Sequence, residues 1–374
     1  NDNGSPYATF THRVIDSSDD TSNVDTPYTD TLNVNPLNDA PVMAAISSQD
    51  TDEEAPLTIT VSSSDVDSGT GEGDENVPTY SAASSSPDDV AVSVVDDQLT
   101  MTPALDFHGD VTITVTVEDD GGLSDDTDFV LTVNPVADTP DITGTTTLED
   151  IQSDTGLVIT RNTADGEEVT HFKITDITSG SLYQNNGTTQ ITDDEFITYA
   201  EGNAGLKFSP SDDFNGTASF ELQASLSSDD DGLGGDVVTA SITVTAVNDV
   251  PSFTVGSDQT VLEDAGSQTV TGWATAISTG PTDESSQTLT FNISGVNAGL
   301  FSVQPSVTSA GDLSYTPADD VHGSDTVTVT LSDNGGTENG GVDTSDPQTF
   351  TITIDPVADT PVITGTTTLE DVQS

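Results

Sequence analysis

Hydrophobic and polar residues alternate strictly through Val111-Thr-Ile-Thr-Val-Thr-Val117. A period of two is the mark of a β-strand with one buried face, and a solvated coil has no reason to keep it. Thr, Val and Ser dominate such runs, as half-exposed strands favour. Ala-rich segments of helical period with caps are lacking, so no helix longer than about two turns is expected. Each run of strands ends in a proline-bearing segment, of which the clearest is Asn134-Pro-Val-Ala-Asp138-Thr-Pro140. Proline removes an amide and fixes φ, which marks a strand exit rather than a strand interior. Asn185-Asn-Gly187 and Asp333-Asn-Gly335 supply turn chemistry. The pattern predicts an all-β chain.

The exit segment recurs. Looser copies read Asn35-Pro-Leu-Asn38-Asp39-Ala-Pro41 and Ala246-Val-Asn248-Asp249-Val-Pro251, and a close copy reads Asp355-Pro-Val-Ala-Asp359-Thr-Pro361. The last prolines of these segments are spaced by 99, 111 and 110 residues, a length that suits one β-sandwich of about seven strands per interval. A second marker keeps the same register: Pro103-Ala-Leu-Asp106-Phe-His108-Gly109, Pro210-Ser-Asp-Asp213-Phe-Asn215-Gly216 and Pro317-Ala-Asp-Asp320-Val-His322-Gly323. Each is followed by an alternating strand, an acid-and-glycine loop and a last strand. The reading is three whole repeats, 36–135, 136–246 and 247–356. Residues 1–35 would hold the last two strands of a preceding repeat (7–15 and 28–34), and 357–374 the start of a following one. Residues 135–153 and 356–374 differ only at Asp141/Val362 and Ile151/Val372, so the second repeat type starts again. The chain begins in mid-pattern and is expected to be a piece of something longer.

Charge changes the picture most. Four Lys plus Arg stand against 66 Asp plus Glu, a formal net charge of −62. Nucleic acid is excluded as a natural partner for want of a basic patch, and an anionic membrane surface is disfavoured. Two carboxylates ~4 Å apart repel by ~4 kcal/mol at an effective dielectric near 20. Clustered acids therefore call for counterions at defined places, and a divalent cation is the simplest. The chain has no cysteine, hence neither disulfides nor thiolate metal sites. No stretch approaches the ~20 apolar residues of a membrane helix.

Together the junction Asn-Asp-x-Pro, the Glu-Asp about ten residues on, the Asp65-Val-Asp67 pair, the Thr102-Pro-x-x-Asp106-Phe-x-Gly109 marker and the acid-glycine loop resemble the bacterial cadherin-like repeat of giant surface adhesins and extracellular matrix proteins. The resemblance spans essentially the whole chain. It implies tandem Ig-like/cadherin-like antiparallel β-sandwich domains in an extended rod, with Ca2+ held at each junction by acids from both neighbours. Carried over, the first junction would use Asn38 and Asp39, with Asp65, Asp67 and Asp119 of the repeat that follows. The second would use Glu53 or Glu54, Asp106, Asn134 and Asp138, met by Asp165 and Asp230. The third would use Glu149, Asp213, Asn248 and Asp249, met by Asp283 and Asp333. The fourth would draw on Glu263, Asp320, Asp355 and Asp359. Asp-x-Asp is clear only at Asp65-Val-Asp67; Thr163-Ala-Asp165-Gly-Glu167 and Thr282-Asp283-Glu284 stand in elsewhere. Calcium takes six to eight hard oxygens, which these residue types supply.

The implied function is mechanical: an extracellular, non-catalytic stalk segment of a calcium-stiffened fibre or adhesin, serving surface projection, adhesion or biofilm matrix. Its partners would be calcium, neighbouring repeats and other copies in a fibre. Two alternatives stand beside it, a module that binds carbohydrate or cell-surface glycans and the non-catalytic part of a large secreted hydrolase. Aromatics are only 5% of the chain, and the lone Trp273 is expected in the third repeat's core rather than as a sugar platform. An EF-hand reading of 65–76 fails at Thr70 and Asn76, where Gly and Glu are required. Asp231-Gly-Leu-Gly-Gly-Asp236 is a single glycine-rich copy and reads as a loop. His108 and His322 occupy the place of Asn215, which argues for turn structure over catalysis or zinc. Asn3, Asn186, Asn215 and Asn292 sit in glycosylation-type triplets that Asn-Gly and turn chemistry largely explain.

Overall fold

The computed structural model describes residues 4–12, 28–34, 37–66, 77–361 and 365. Asp67, the end of the strand expected at 7–15 and nearly all of the second copy after residue 361 lie outside the described residues. The leading fragment is an antiparallel pair, Gly4–His12 with Tyr28–Val34, so its first strand starts three residues before the expected Tyr7.

The first full repeat is a two-sheet sandwich. One sheet orders Gln49–Asp52, Ser124–Asn134, Gly109–Glu118 and Thr79–Ser84; the other orders Leu57–Thr60, Gln98–Pro103 and Val90–Val95, with Val42–Met43 and Ser63–Ser64 as a short pair. The alternation that announced the fold is realised literally: Val111, Ile113, Val115 and Val117 are buried, and the residues between them face outward or sit half-buried. They meet Val90, Leu99 and Met101 of the opposite sheet in one core.

The third repeat has the same two sheets. One orders Gln259–Leu262, Gln348–Asp355, Gly323–Ser332 and Thr290–Ser294; the other orders Gln268–Val270, Leu313–Pro317 and Phe301–Val307. Trp273 is buried in its core, with its ring centroid 4.4 Å from that of Phe350 and its indole N–H donated to the Ser257 carbonyl at 3.0 Å. The second repeat enlarges one sheet to five strands by adding Glu195–Thr198 beside His171–Thr175. A five-residue helix, Tyr199–Asn203, follows, closed by a capping box between Thr198 and Glu201.

The three cores are separate, assembled from residues 43–133, 137–244 and 253–354. Apolar packing therefore holds each repeat together by itself. Phe220, fully buried in the second core, is expected to cost ~3–5 kcal/mol when replaced by alanine, readable as a lowered urea midpoint for that repeat.

Pairing is antiparallel with one exception per repeat, and the exception positions the site. The second half of the first strand crosses to the opposite sheet and runs parallel to the last strand. The pairs are Gln49–Asp52 with 131–134, Thr145–Leu148 with 242–245, and Gln259–Leu262 with 352–355. Each crossing strand thereby ends beside the point where the chain leaves the repeat.

Candidate metal centres at the repeat junctions

The residue after each crossing strand is a glutamate, Glu53, Glu149 or Glu263, and each grips the departing linker twice. Its backbone N–H donates to the carbonyl of Asn134, Thr245 or Asp355 at 3.0, 3.0 and 2.9 Å. Its carboxylate accepts the N–H of Val136 (2.7 Å), Val247 or Val357 (2.8 Å). These carboxylates are only 7%, 3% and 5% exposed in a polar, acid-rich setting. Two residues further along, the linker is gripped from the other side. The N–H of Asp138 donates to Asp165 Oδ1 at 2.7 Å, and that of Asp249 to Glu284 Oε1 at 2.9 Å. The linker backbone thus runs between a carboxylate of the repeat behind and one of the repeat ahead.

A tight acidic turn flanks each clamp. Glu54, Asp150 and Asp264 follow the clamping glutamates with φ of 61°, 58° and 65°, and Asp106, Asp213 and Asp320 have φ of 59°, 57° and 55°. Asp tolerates this left-handed region better than most residues. Asp150 and Asp264 accept the N–H groups of Asp213 (3.0 Å) and Asp320 (3.2 Å). The glycine that ends the marker has φ of 133° at Gly109 and 126° at Gly216, which side-chain-bearing residues rarely adopt.

These turns bring acids into two matching clusters. Asp150, Asp213 and Asp249 each offer one oxygen within 4.8 Å of the others at the third junction, and Asp264, Asp320 and Asp359 do the same at the fourth. At the second junction Asp106 bears on Asp138, whose carboxyl is pushed up by burial and then by that charge. A different trio, Glu53, His108 and Glu168, also offers one atom each within 4.8 Å there.

The position shared by His108, Asn215 and His322 reaches towards acids at the second, third and fourth junctions. Asn215 donates to Glu149 Oε2 of its own repeat at 3.2 Å and to Asp283 Oδ2 of the next at 2.7 Å. His108 Nδ1 lies 3.0 Å from Glu168 Oε2 of the next repeat, and His322 Nδ1 lies 3.5 Å from Glu263 Oε2.

Six buried side-chain oxygens among the described residues have no hydrogen-bond partner: Asp165 Oδ2, Glu168 Oε2, Glu263 Oε2, Glu284 Oε2, Asp333 Oδ2 and Gln287 Oε1. All six belong to the junctions. The approach of His108 to Glu168 is close but lacks hydrogen-bond geometry. Carboxyl groups here are held above their ordinary range. Burial is the first cause for Asp165, Glu168, Asp249 and Glu284, and neighbouring acids add to it; Asp359 is raised the same way beside Asp320, Asp264 and Glu263. Asp119 is the opposite case. Burial works against its charge, but N–H groups of Leu123, Gly121 and Gly122 and the Asn38 amide outweigh it and hold the carboxyl below its ordinary value.

Placement of the expected ligands is uneven. At the first junction Asn38 donates to Asp119 at 2.8 Å, and Asp39 and Asp65 are half-buried; Asp67 lies outside the described residues. Of Glu53 and Glu54, Glu53 is the clamp. Asn134 and Asp355 enter through their carbonyls, the Asn134 amide donating to Asp52 at 3.3 Å. At the third junction Asn248 bridges Asp333, the Val342 carbonyl and Gln287. Asp230 is a correction. Its carboxylate takes an ion pair with Lys173 at 2.8 Å, one of only four Lys and Arg in the chain, and Glu168 is the acid that meets the second junction instead. The glycine-rich stretch after Asp231, expected as a loop, is instead the end of a short 3-10 turn, Asp230–Gly232, running straight into the last strand, Leu233–Thr245, and its glycines serve close approach. A Cβ on Gly234 would fall 2.3 Å from the Ala137 carbonyl oxygen.

Four ligand-type acids were missed. Asp150 and Asp264 sat in plain view after the clamping glutamates, and their signal was the need for a left-handed residue there. Glu284 rather than Asp283 is turned inward, because the short 3-10 turn Thr282–Glu284 points the third residue at the linker. Glu168 sits one residue past the expected Thr163–Glu167 motif, after Gly166 with φ 54°.

Residues 38–132 match the family model of a bacterial Ig domain. No curated protein matches the chain. Among solved structures the chain is similar to mouse cadherin-23 EC22-24, at 18% identity and a TM-score of 0.46, covering 86% of this chain and 99% of that one. It is also similar to human CDH23 EC21-23, at 13% identity and a TM-score of 0.43, covering 84% and 100%. A third similar structure holds extracellular cadherin domains 1-5 of protocadherin gamma B2, at 13% identity and a TM-score of 0.44; there 90% of this chain covers 63% of the other's length.

Proposed function

We propose that this tandem of Ig-like sandwiches, whose first full repeat matches the model of a bacterial Ig domain, is a stretch of an extracellular stalk stiffened by Ca2+ at its junctions. The observation that carries the reading is the set of buried carboxylate oxygens without partners, all at junctions. An ionised oxygen buried without a donor costs several kcal/mol unless a cation or proton meets it. With four Lys and Arg in the chain, and, among these acids, histidines beside only Glu168 and Glu263, protein cations cannot serve the set.

The donors fit calcium. They are carboxylates, amide oxygens and carbonyls, the hard oxygens that Ca2+ takes in flexible sets of six to eight. Mg2+ demands a stricter octahedron and keeps its waters. At the second junction Asp106, Asp138 and Asp165 would hold the ion. At the third, Glu149, Asp150, Asp213, Asp249 and Glu284 would hold it, and at the fourth Glu263, Asp264, Asp320 and Asp359. Ligands come from the repeat behind, the linker and the repeat ahead, so binding the ion and fixing the linker are one event. Without it, like charges crowd the linker from both sides and favour a bent or mobile joint. No helix among the described residues is long and apolar enough to cross a membrane. A glycan-binding role draws no support from the sole tryptophan, which is buried.

Small-angle scattering and calorimetry test the reading. Adding Ca2+ to the chelated chain should lengthen the maximum dimension and raise the melting midpoint, by the equivalent of about 2.7 kcal/mol at a hundredfold excess over Kd. Matched NaCl should not reproduce this, because it screens exposed charges without occupying buried positions. Identical profiles and midpoints in calcium and in chelator would end the calcium reading.

A further inference from the structure

The second junction differs from the third in one donor. Where Asn215 donates its amide N–H to Glu149 and Asp283, leaving its oxygen as the only ligand atom it can give an ion, His108 offers a ring nitrogen to Glu53 and Glu168. Ca2+ takes oxygen ligands, whereas imidazole with carboxylates suits borderline ions such as Zn2+. We propose that Glu53, His108 and Glu168 form a mixed nitrogen–oxygen site for a divalent ion of the Zn2+ class, distinct in preference from the all-oxygen third junction.

Three further observations support it. Nδ1 of His108 and Oε2 of Glu168 lie 3.0 Å apart, a few tenths of an ångström inside the ~3.3 Å that separates two ligands each ~2.0–2.1 Å from one tetrahedral Zn2+. Glu168 Oε2 is buried without a hydrogen bond, and Asp165 beside it, 1% exposed, also carries an unpartnered oxygen. The carboxyls of Asp165, Glu168 and Glu53 bear on one another electrostatically, so the pocket holds more negative charge than one imidazole can offset. The pair His12–Asp30, 3.3 Å apart, differs in its acid: the two imidazoles are alike at 46% and 45% exposed, but Asp30 is 57% exposed and Glu168 only 12%.

The sequence places the histidine by repeat type. His108 precedes the linker-and-strand segment 135–153, and His322 precedes its near copy 356–374; Asn215 precedes the third repeat, which lacks that segment. At the fourth junction the first two parts of the trio are again present, His322 Nδ1 lying 3.5 Å from the buried, unpartnered Glu263 Oε2. Three protein ligands leave one position of a tetrahedral ion open to water. A stalk built this way alternates two kinds of ion along its length. The proposal rests on the reading of the junctions as ion sites and refines the ion at one of them.

The test is titration of the 374-residue chain with ZnCl2 in a non-chelating buffer with Ca2+ in large excess, followed by calorimetry, with Co2+ absorption as a second readout of nitrogen–oxygen coordination. The native chain should show a Zn2+ site that calcium does not displace. His108→Asn should weaken that site more than ~10-fold, the loss already typical of removing an outer-shell partner, and leave the Ca2+-dependent melting increment at the third junction unchanged. Glu168→Gln, which preserves shape, should do the same and decides the matter if the histidine variant misfolds. Asn215→His should add a second site. Equal Zn2+ affinity and stoichiometry in the native chain, His108→Asn and Glu168→Gln would overturn the proposal and leave the calcium reading standing. A chain indifferent to Ca2+ that still loses one Zn2+ equivalent in these variants would do the reverse.

Discussion

Asp165→Asn is expected to raise the melting midpoint of the ion-free chain and to lower it when Ca2+ is saturating. Asp165 is almost fully buried; its Oδ1 accepts the Asp138 N–H at 2.7 Å, and its Oδ2 has no partner. Burial, and then the charges of Asp138 and Glu53, push its carboxyl up against the hydrogen bond from Asp138, which favours ionisation. Asparagine keeps the acceptor for Asp138 and removes a crowded negative charge, so the ion-free state gains. In calcium the balance reverses, because a charged ligand has become a neutral one. If the variant binds a hundredfold more weakly, an ion concentration worth ~2.7 kcal/mol to the native chain is worth only ~0.4 to the variant. The net loss is ~2 kcal/mol, several degrees for a repeat of this size. Calorimetry of both proteins in chelator and in Ca2+ reads the sign in each. A shift of the same sign in both would show that Oδ2 faces no ion.

Much of this was legible before any coordinates. Strict alternation in 111–117 specifies strand type, and three copies of the Pro-x-x-Asp marker carry the expectation of the repeat length, because both are local consequences of pleat and turn geometry. The clamping glutamates were found for the same reason: Glu149 and Glu263 stand at a constant distance from the junction prolines. What escaped was direction. Whether Asp283 or Glu284 faces the linker depends on a single 3-10 turn, and sequence spacing cannot orient one residue against its neighbour. Asp230 was misplaced because Lys173, far away in sequence, captures it, and a chain so poor in cations gave no warning that one would be spent there. The parallel crossing strand was equally hidden, since its four residues read like any other short strand; yet it is the element that carries each glutamate to the linker.

The role of the histidines was read only in part. Equivalence with Asn215 reads His108 and His322 as members of a recurrent turn rather than zinc ligands, and the site proposed at the second junction departs from that reading for His108. That the turn should reach across to the acids of the next repeat, as Asn215 does to Asp283 and His108 to Glu168, is a tertiary fact with no local signature.

Lowering the pH from 7 towards about 4 is expected to stabilise the ion-free chain and destabilise the calcium-loaded one. Asp138, Asp165, Glu168, Asp249 and Glu284 all have carboxyls raised, first by burial and then, for most, by neighbouring acids. A carboxyl whose pKa is higher folded than unfolded binds more protons when folded. Its contribution is therefore fully present below the unfolded value, near 3.9 for Asp and 4.3 for Glu, and is lost as pH rises through the folded value. Asp119, held below its ordinary value by donors, has the opposite sign, but its contribution is lost only as pH falls below about 4. With Asp359, raised in the same way, six groups against one leave a midpoint that climbs on acidification across the window. With Ca2+ the same oxygens must be deprotonated to ligate, so protons compete with the ion and the midpoint falls instead. Relief of general repulsion in a chain of net charge −62 acts in the first direction too. Repeating the scan in 1 M NaCl, where the Debye length is ~3 Å, removes most of that exposed component and leaves the buried one. Two curves that cross between neutral and mildly acidic pH in high salt would place the titrating groups at the junctions; parallel curves would mean that protons and calcium do not compete for these acids.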